Sequence, residues 1–233
     1  MIEQTRAIHA VILDVDGTLI DSNDAQAHAW IDAMALQGHS VSFEKIRPLI
    51  GMGGDKVLPE VLGMNKDSEE GKKISAARKE LVKTRYLLTI RAFPKAKELL
   101  EHMHDSGLKL VIATSAEPDE IEQTLKIVGP HVQDLMEQQT TAKDAQQSKP
   151  DPDVMKAALE KSGFSADEVM MLGDTPYDLE AAAKVGVKSI AFRSGGWSDK
   201  DLAQASAIYT DTADLLAHYD TSPLVNGIPS NRE

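Results

Sequence analysis

Apolar positions along this chain follow two different periods. One set forms short, nearly unbroken runs: Ala10-Val11-Ile12-Leu13, Leu108–Ala113, Val169-Met170-Met171-Leu172 and Val187–Phe192. Runs of that length without polar interruption predict strands buried on both faces. Between them apolar residues recur at helical spacing: Ala96, Leu99, Leu100 and Met103 between Pro94 and Gly107, then Ile121, Leu125 and Val128 before Gly129-Pro130. Pro152 opens a further helix that ends near Gly163, and an alanine-rich helix from Leu179 to Val185 runs into Gly186. Weaker patterns predict a strand about Leu135–Gln138, a last short strand at Ala207-Ile208-Tyr209 and a closing helix over Thr212–His218. Strands alternating with helices predict an α/β fold, a doubly wound parallel sheet covered on both faces with right-handed crossovers.

The stretch from 21 to 90 breaks this alternation. Asp21-Ser22-Asn23-Asp24 supplies capping residues for a helix over Ala25–Gln37, which Gly38 ends. Glu69 to Leu88 carries charges on a helical period, with Ile74, Leu81 and Leu88 seven apart, and predicts one amphipathic helix. Roughly seventy residues between two core strands is far too many for a loop. The expected organisation is a core domain at 1–20 and 91–220 with a small all-helical domain at 21–90 inserted after the first strand. From Thr221 the chain has Pro, Gly, Ser and Asn without periodicity, so 221–233 is expected to be a flexible tail.

Composition narrows the function. The chain has 233 residues, 42% of them hydrophobic and 27% charged, ordinary for a globular protein with a full core. Its formal charge of −12 argues against nucleic acid and membrane surfaces, which both need a basic face. An anionic substrate must therefore find local cations. There are no cysteines, so disulfides and thiolate metal sites are excluded. No stretch reaches membrane-spanning length, and Met1–Arg6 lacks a secretory apolar region, so the expectation is a cytoplasmic monomer or homodimer.

The first strand runs into two carboxylates, Asp14 and Asp16, followed by Gly17. Alternation on an extended chain aims both carboxylates one way while Val15 packs on the other side. Like charges so close repel unless something positive lies between them, and a divalent cation is the simplest remedy. An acidic pair at a strand end also fits a solvated loop, and the other strand ends decide. In open parallel sheets ligands bind beyond the carboxyl ends of the strands. The polar residues at those ends, Asp14, Asp16, Thr114, Ser115, Asp174 and Asp178, are therefore expected to converge.

Those residues, with Lys149, resemble the four motifs of the haloacid dehalogenase-like hydrolase superfamily, in order. Asp14-Val15-Asp16-Gly17-Thr18 is similar to the first, Thr114 to the second, Lys149-Pro150 to the third and Gly173-Asp174-Thr175-Pro176-Tyr177-Asp178 to the fourth. The inserted helices resemble the cap of the phosphoglycolate phosphatase and β-phosphoglucomutase branch. The resemblance implies a phosphatase for a small phosphorylated metabolite, such as phosphoglycolate or a sugar phosphate. Asp14 would be the nucleophile that forms an aspartyl-phosphate, and Asp16 the general acid and base. Mg2+ would be held by Asp14, the backbone carbonyl of Asp16 and Asp174. Gly17, Thr114, Ser115 and Lys149 would bind the phosphate. Asp178 would hold a metal-bound water or orient Lys149, and it also fits the N-cap of a helix starting at Leu179.

The cap is expected to close over the acidic pair and supply specificity, with Gly51-Met52-Gly53-Gly54 as a substrate-facing loop and Lys56 near a distal anionic group. The mutase's cap arginine has no counterpart at Gly54, Asp55 or Lys56, and Gln26 stands where spacing from Asp16 puts its histidine. Both departures favour a hydrolase over the alternatives, a phosphosugar mutase or a non-catalytic phosphate-binding protein.

Overall fold

The protein, seen in a computed structural model, is described over residues 5–114, 116, 118–140 and 144–229. It divides into two compact units, Met1–Ile20 with Ala92–Glu233, and Asp21–Arg91. The strands in chain order are β1 (Thr5–Arg6), β2 (Ala10–Leu13), β3 (Ile20–Asp21), β4 (Arg91–Ala92) and β5 (Lys109–Ile112), then β6 (Met136–Gln139), β7 (Val169–Gly173), β8 (Lys188–Phe192), β9 (Ala207–Tyr209) and β10 (Ile228–Pro229).

Six of these form the sheet of the first unit in the order β6-β5-β2-β7-β8-β9. Every neighbouring pair is parallel. β2 lies near the centre and its four residues are fully buried, which is why it reads as an unbroken apolar run. Ile12, Val111 and Met171 pack on one face against Val154, Met155 and Ala158 of the helix Asp153–Ser162 and Ala181 and Ala182 of the helix Pro176–Ala183. Each aliphatic side chain so buried contributes about 1.5–3 kcal/mol. From β2 the chain adds strands on one side, β5 then β6, and afterwards on the other, β7 to β9. The order therefore reverses between β2 and β7, and ligands of such sheets bind in the crevice beyond that reversal.

The three central strands end level. Leu13 lies opposite Ile112 on one side and Leu172 on the other. The pairing continues one residue further, with the Asp14 N–H donating to the Leu172 carbonyl (3.0 Å) and the Ala113 N–H to the Leu13 carbonyl (2.8 Å).

The second unit is helical, with helices Asn23–Ala35, Phe43–Ile46, Gly54–Leu62 and Glu69–Leu81. Ala27, Trp30, Met34, Ile46, Leu58 and Ile74 form its core. The expected helix over 69–88 forms but changes its winding: α-helix ends at Leu81, Val82–Tyr86 is a wider π turn and Leu87–Thr89 a 3-10 turn. From the π turn Arg85 and Tyr86 both donate to one oxygen of Asp32, at 2.5 and 2.6 Å. The chain stays helical through Leu88, but the changed winding turns Leu88 outward, where it is 81% exposed.

Two further expectations change. The alanine-rich helix starts at Pro176, not Leu179, because Thr175 caps it. Within the expected tail, regular structure occurs between Thr221 and Pro229. A short helix over Pro223–Asn226 buries Leu224, and β10 pairs antiparallel with β1. One anchoring leucine and a backbone pairing are too small a signal to show as periodicity. Among the described residues no helix is long and apolar enough to cross a membrane.

Candidate active site

Three loops meet where the strand order reverses. Asp14 follows β2, Asp174 follows β7, and Asp178 stands on the first turn of the helix that leaves β7. One carboxylate oxygen from each lies within 4.8 Å of the other two, and all three residues are buried. Lys149 reaches in from the loop before the helix Asp153–Ser162, its side chain only 8% exposed. Its Nζ donates to Asp14 Oδ1 and, at 2.6 Å, to Asp178 Oδ1.

Local structure fixes each member. The loop before Lys149 is pinned by Asp153, whose Oδ2 accepts from the N–H groups of Gln146 (3.2 Å) and Gln147 (3.1 Å). The Lys149–Pro150 peptide is cis. Asp178 is not the N-cap; that role belongs to Thr175, with Pro176 at the first helical position. Asp178 Oδ2 accepts from the Thr175 N–H (3.1 Å) and hydroxyl (2.7 Å), a capping box that leaves Oδ1 for Lys149. Asp174 Oδ1 accepts from the Thr18 hydroxyl at 2.9 Å.

Burial pushes the Asp14 carboxyl up, to about 7, against the pull of Lys149; Asp178 and Asp16 add to the rise. The lysine is desolvated too, but Asp14 and Asp178 outweigh that and raise its pKa, so it stays charged. Lys149 offsets one of three negative charges, and a divalent cation would offset the other two. The donors are all oxygen, the set a hard cation such as Mg2+ takes. The site therefore fits the ion that the motifs imply.

The remaining candidates are placed as follows. Val15 is buried, whereas Asp16 is half-buried and its carboxylate is not part of the three-carboxylate group. Gly17 has φ +80°, a conformation that favours glycine, and its N–H donates to the Ile20 carbonyl at 2.8 Å. That bond fixes the plane of the peptide to which the Asp16 carbonyl belongs. Thr114 follows β5, beside β2, and its hydroxyl accepts from the Ala116 N–H at 3.1 Å while keeping a proton to donate. Ser115 lies outside the described residues. In the helical unit, Gly54 opens the helix after the glycine-rich loop, Lys56 stands 3.9 Å from Asp55, and Gln26 is buried and accepts from Arg78 at 2.5 Å.

Several residues of this site have no motif of their own. Thr140 is fully buried; its hydroxyl donates to the Thr114 carbonyl (2.7 Å) and accepts from the Thr114 N–H (2.9 Å). Ser194, after β8, donates to the Gly17 carbonyl at 2.6 Å. Nothing in local spacing marks either one. Thr175 could have been found, since Thr-Pro-x-Asp is a capping pattern.

The family model described as haloacid dehalogenase-like hydrolase matches residues 11–192. A phosphoglycolate phosphatase of Yersinia pestis is 28% identical, over 98% of this chain and 97% of its own. Pyrophosphatase PpaX of Bacillus velezensis is 23% identical over 88% and 91%. Among solved structures, a hydrolase from Pseudomonas syringae superposes with a TM-score of 0.83 at 31% identity, covering 91% of this chain and 98% of that one.

Proposed function

The chain belongs to the haloacid dehalogenase-like hydrolases, and from that membership we propose a Mg2+-dependent phosphatase for a small phosphorylated metabolite that passes the phosphoryl group through Asp14. The observation that carries the reading is the buried trio Asp14, Asp174 and Asp178 with Lys149 bonded to two of its members.

In the first step an Asp14 carboxylate oxygen forms a bond to phosphorus as the bond to the leaving oxygen breaks. Asp16, as the acid, gives that oxygen its proton and releases an alcohol. In the second step the Asp16 carboxylate takes a proton from water, the water oxygen bonds to phosphorus, and the bond to Asp14 breaks. Asp14 returns as a carboxylate and inorganic phosphate departs. Asp16 suits both roles because it lies outside the trio, two residues from Asp14, with partial access to water.

Lys149 favours the ionised form of Asp14 against the effect of burial and meets the negative charge of the transferring group in a buried setting, where charge counts for more. The Thr114 hydroxyl donates to a phosphate oxygen. Asp14, Asp174 and the Asp16 carbonyl are the groups to hold Mg2+, with Asp178 bound to Lys149. When bound, Mg2+ supplies positive charge beside the phosphoryl oxygens.

Curated relatives are named for phosphoglycolate and for pyrophosphate, which supports a substrate among small phosphate compounds. The test is phosphate release from a panel of phosphoglycolate, sugar phosphates and pyrophosphate with Mg2+, repeated with EDTA and with Asp14→Asn. Release with Mg2+, lost in both controls, is expected. Turnover that survives Asp14→Asn removes the nucleophile from the scheme, and an isomerised sugar phosphate without free phosphate would assign a mutase.

A further inference from the structure

We propose that the turn Arg193–Gly195, which follows β8 and carries none of the four motifs, is a positioning element for the metal site, setting Asp174 and the Gly17 turn in one geometry. The inference rests on the metal reading above and concerns how tightly that site is shaped.

Two contacts carry it. The first is the Ser194 hydroxyl on the Gly17 carbonyl, a bond between segments 177 positions apart. Gly17 is the pivot by which the chain turns out of the acidic pair, and its carbonyl belongs to the peptide that leads into Thr18. Thr18 in turn donates to Asp174 Oδ1. The second contact is steric. Gly195 is buried, and its backbone lies outside the left-handed region, so glycine is needed there for space. A Cβ on Gly195 would lie 2.5 Å from the Asp174 carbonyl oxygen, 3.0 Å from the Asp174 Cβ, and against Asp174 Oδ2.

Asp174 is thus enclosed by two separate segments. Thr18 holds one oxygen from the side of β2, and the bare Cα of Gly195 forms the wall behind the other from the side of β8. The Asp174 carbonyl is backbone at a strand end and cannot swing aside, so an added methyl must move the carboxylate or the turn. Removing the Ser194 hydroxyl frees the Gly17 carbonyl and with it the peptide that leads into Thr18, the donor to Asp174. Groups that orient metal ligands typically govern affinity by about 10- to 100-fold.

A misplaced ligand also has a signature that general loosening lacks. Mg2+ demands near-ideal octahedral geometry, whereas Ca2+ accepts irregular sites. Calorimetric titration of the full chain with Mg2+ and with Ca2+ tests the proposal in wild type, Gly195→Ala, Ser194→Ala, Ser194→Thr and Asp174→Asn. We expect Mg2+ to bind about tenfold or more weakly to Gly195→Ala and several-fold more weakly to Ser194→Ala. Ca2+ should lose less in both, and Ser194→Thr, which keeps the hydroxyl, should stay near wild type. If Gly195→Ala does not fold, the two Ser194 variants decide. Equal losses for the two ions, or no loss in the folded variants while Asp174→Asn loses binding, would overturn the positioning role alone. Wild type that binds neither ion overturns the metal reading with it.

Discussion

Asp178 divides its two oxygens between Lys149 and Thr175: Oδ1 accepts the lysine ammonium at 2.6 Å, and Oδ2 closes the capping box. One carboxylate therefore ties the direction of a helix to the placement of the cation beside Asp14. Asp178→Asn keeps the shape and removes the charge. It is expected to lower kcat by roughly 10- to 100-fold, as for other groups that orient a reacting partner. Asp178→Ala also removes the reciprocal half of the capping box, the acceptor for the buried Thr175 N–H, at about 1–3 kcal/mol of stability. Steady-state kinetics and urea unfolding check the two effects separately, and an unchanged kcat in Asp178→Asn would show that Lys149 needs no second anchor.

Lys149→Met removes the positive charge from among three buried carboxylates. Turnover is expected to fall by at least about 100-fold, the scale for losing one donor to a developing charge. The metal-free variant should also show a steeper pH dependence of stability than wild type. Without the lysine, carboxylates in this buried site resist ionisation more than they do unfolded. A group whose folded pKa is raised contributes stability at low pH and loses it as pH rises through the folded value. Melting temperatures of metal-free Lys149→Met should therefore fall from pH 5 to pH 8 more than those of wild type, and added Mg2+ should reduce the difference. Parallel profiles for the two proteins would mean that the lysine does not govern the ionisation of the trio.

The strand ends were legible in the sequence because central parallel strands are buried on both faces and read as unbroken apolar runs. Once Leu13, Ile112 and Leu172 are aligned, Asp14, Thr114 and Asp174 follow at the same edge. Thr140, Ser194 and Gly195 were not legible. Each acts through a backbone atom of a distant segment, and such a contact imposes no spacing on the sequence. Asp178 bonds Lys149, one of the two roles its motif suggests, while the N-cap it also fits belongs to Thr175, because the helix starts at Thr175-Pro176 and not at the first apolar residue. In the helical unit the apolar spacing runs through Leu88 and so does the helix, but the π and 3-10 turns rotate Leu88 out of the apolar face, since periodicity records residue types and not winding.

Thr140→Val removes a hydroxyl that bonds both backbone groups of Thr114 and keeps the side-chain volume. Leaving buried polar groups without their partner costs about 1–3 kcal/mol. A stability loss in that range is expected, and with it a higher KM, because the Thr114 hydroxyl loses its fixed direction. Thr140→Ser should restore both. A KM unchanged in Thr140→Val, despite the loss of stability, would confine Thr140 to holding the sheet edge.

Metal binding should depend on pH through Asp14. In the metal-free site burial holds its carboxyl at about 7, well above the ordinary 3.8. A cation that takes Asp14 as a ligand must displace its proton, so below about pH 7 each unit of acidification should weaken Mg2+ by up to tenfold. Above that value affinity should level off, because the carboxylate is already ionised while Lys149 keeps its charge. The same shift, with its sign, makes metal-free wild type less stable as pH rises from about 4 to about 7, since the folded state holds a proton that the unfolded chain has released. Mg2+ should therefore stabilise the protein most at the alkaline end of that window. Calorimetric titrations from pH 5.5 to 8.5 in buffers of different ionisation enthalpy report both the affinity and the proton released. Proton release approaching one below pH 7 and vanishing above it is expected; a pH-independent affinity would remove Asp14 from the ligand set.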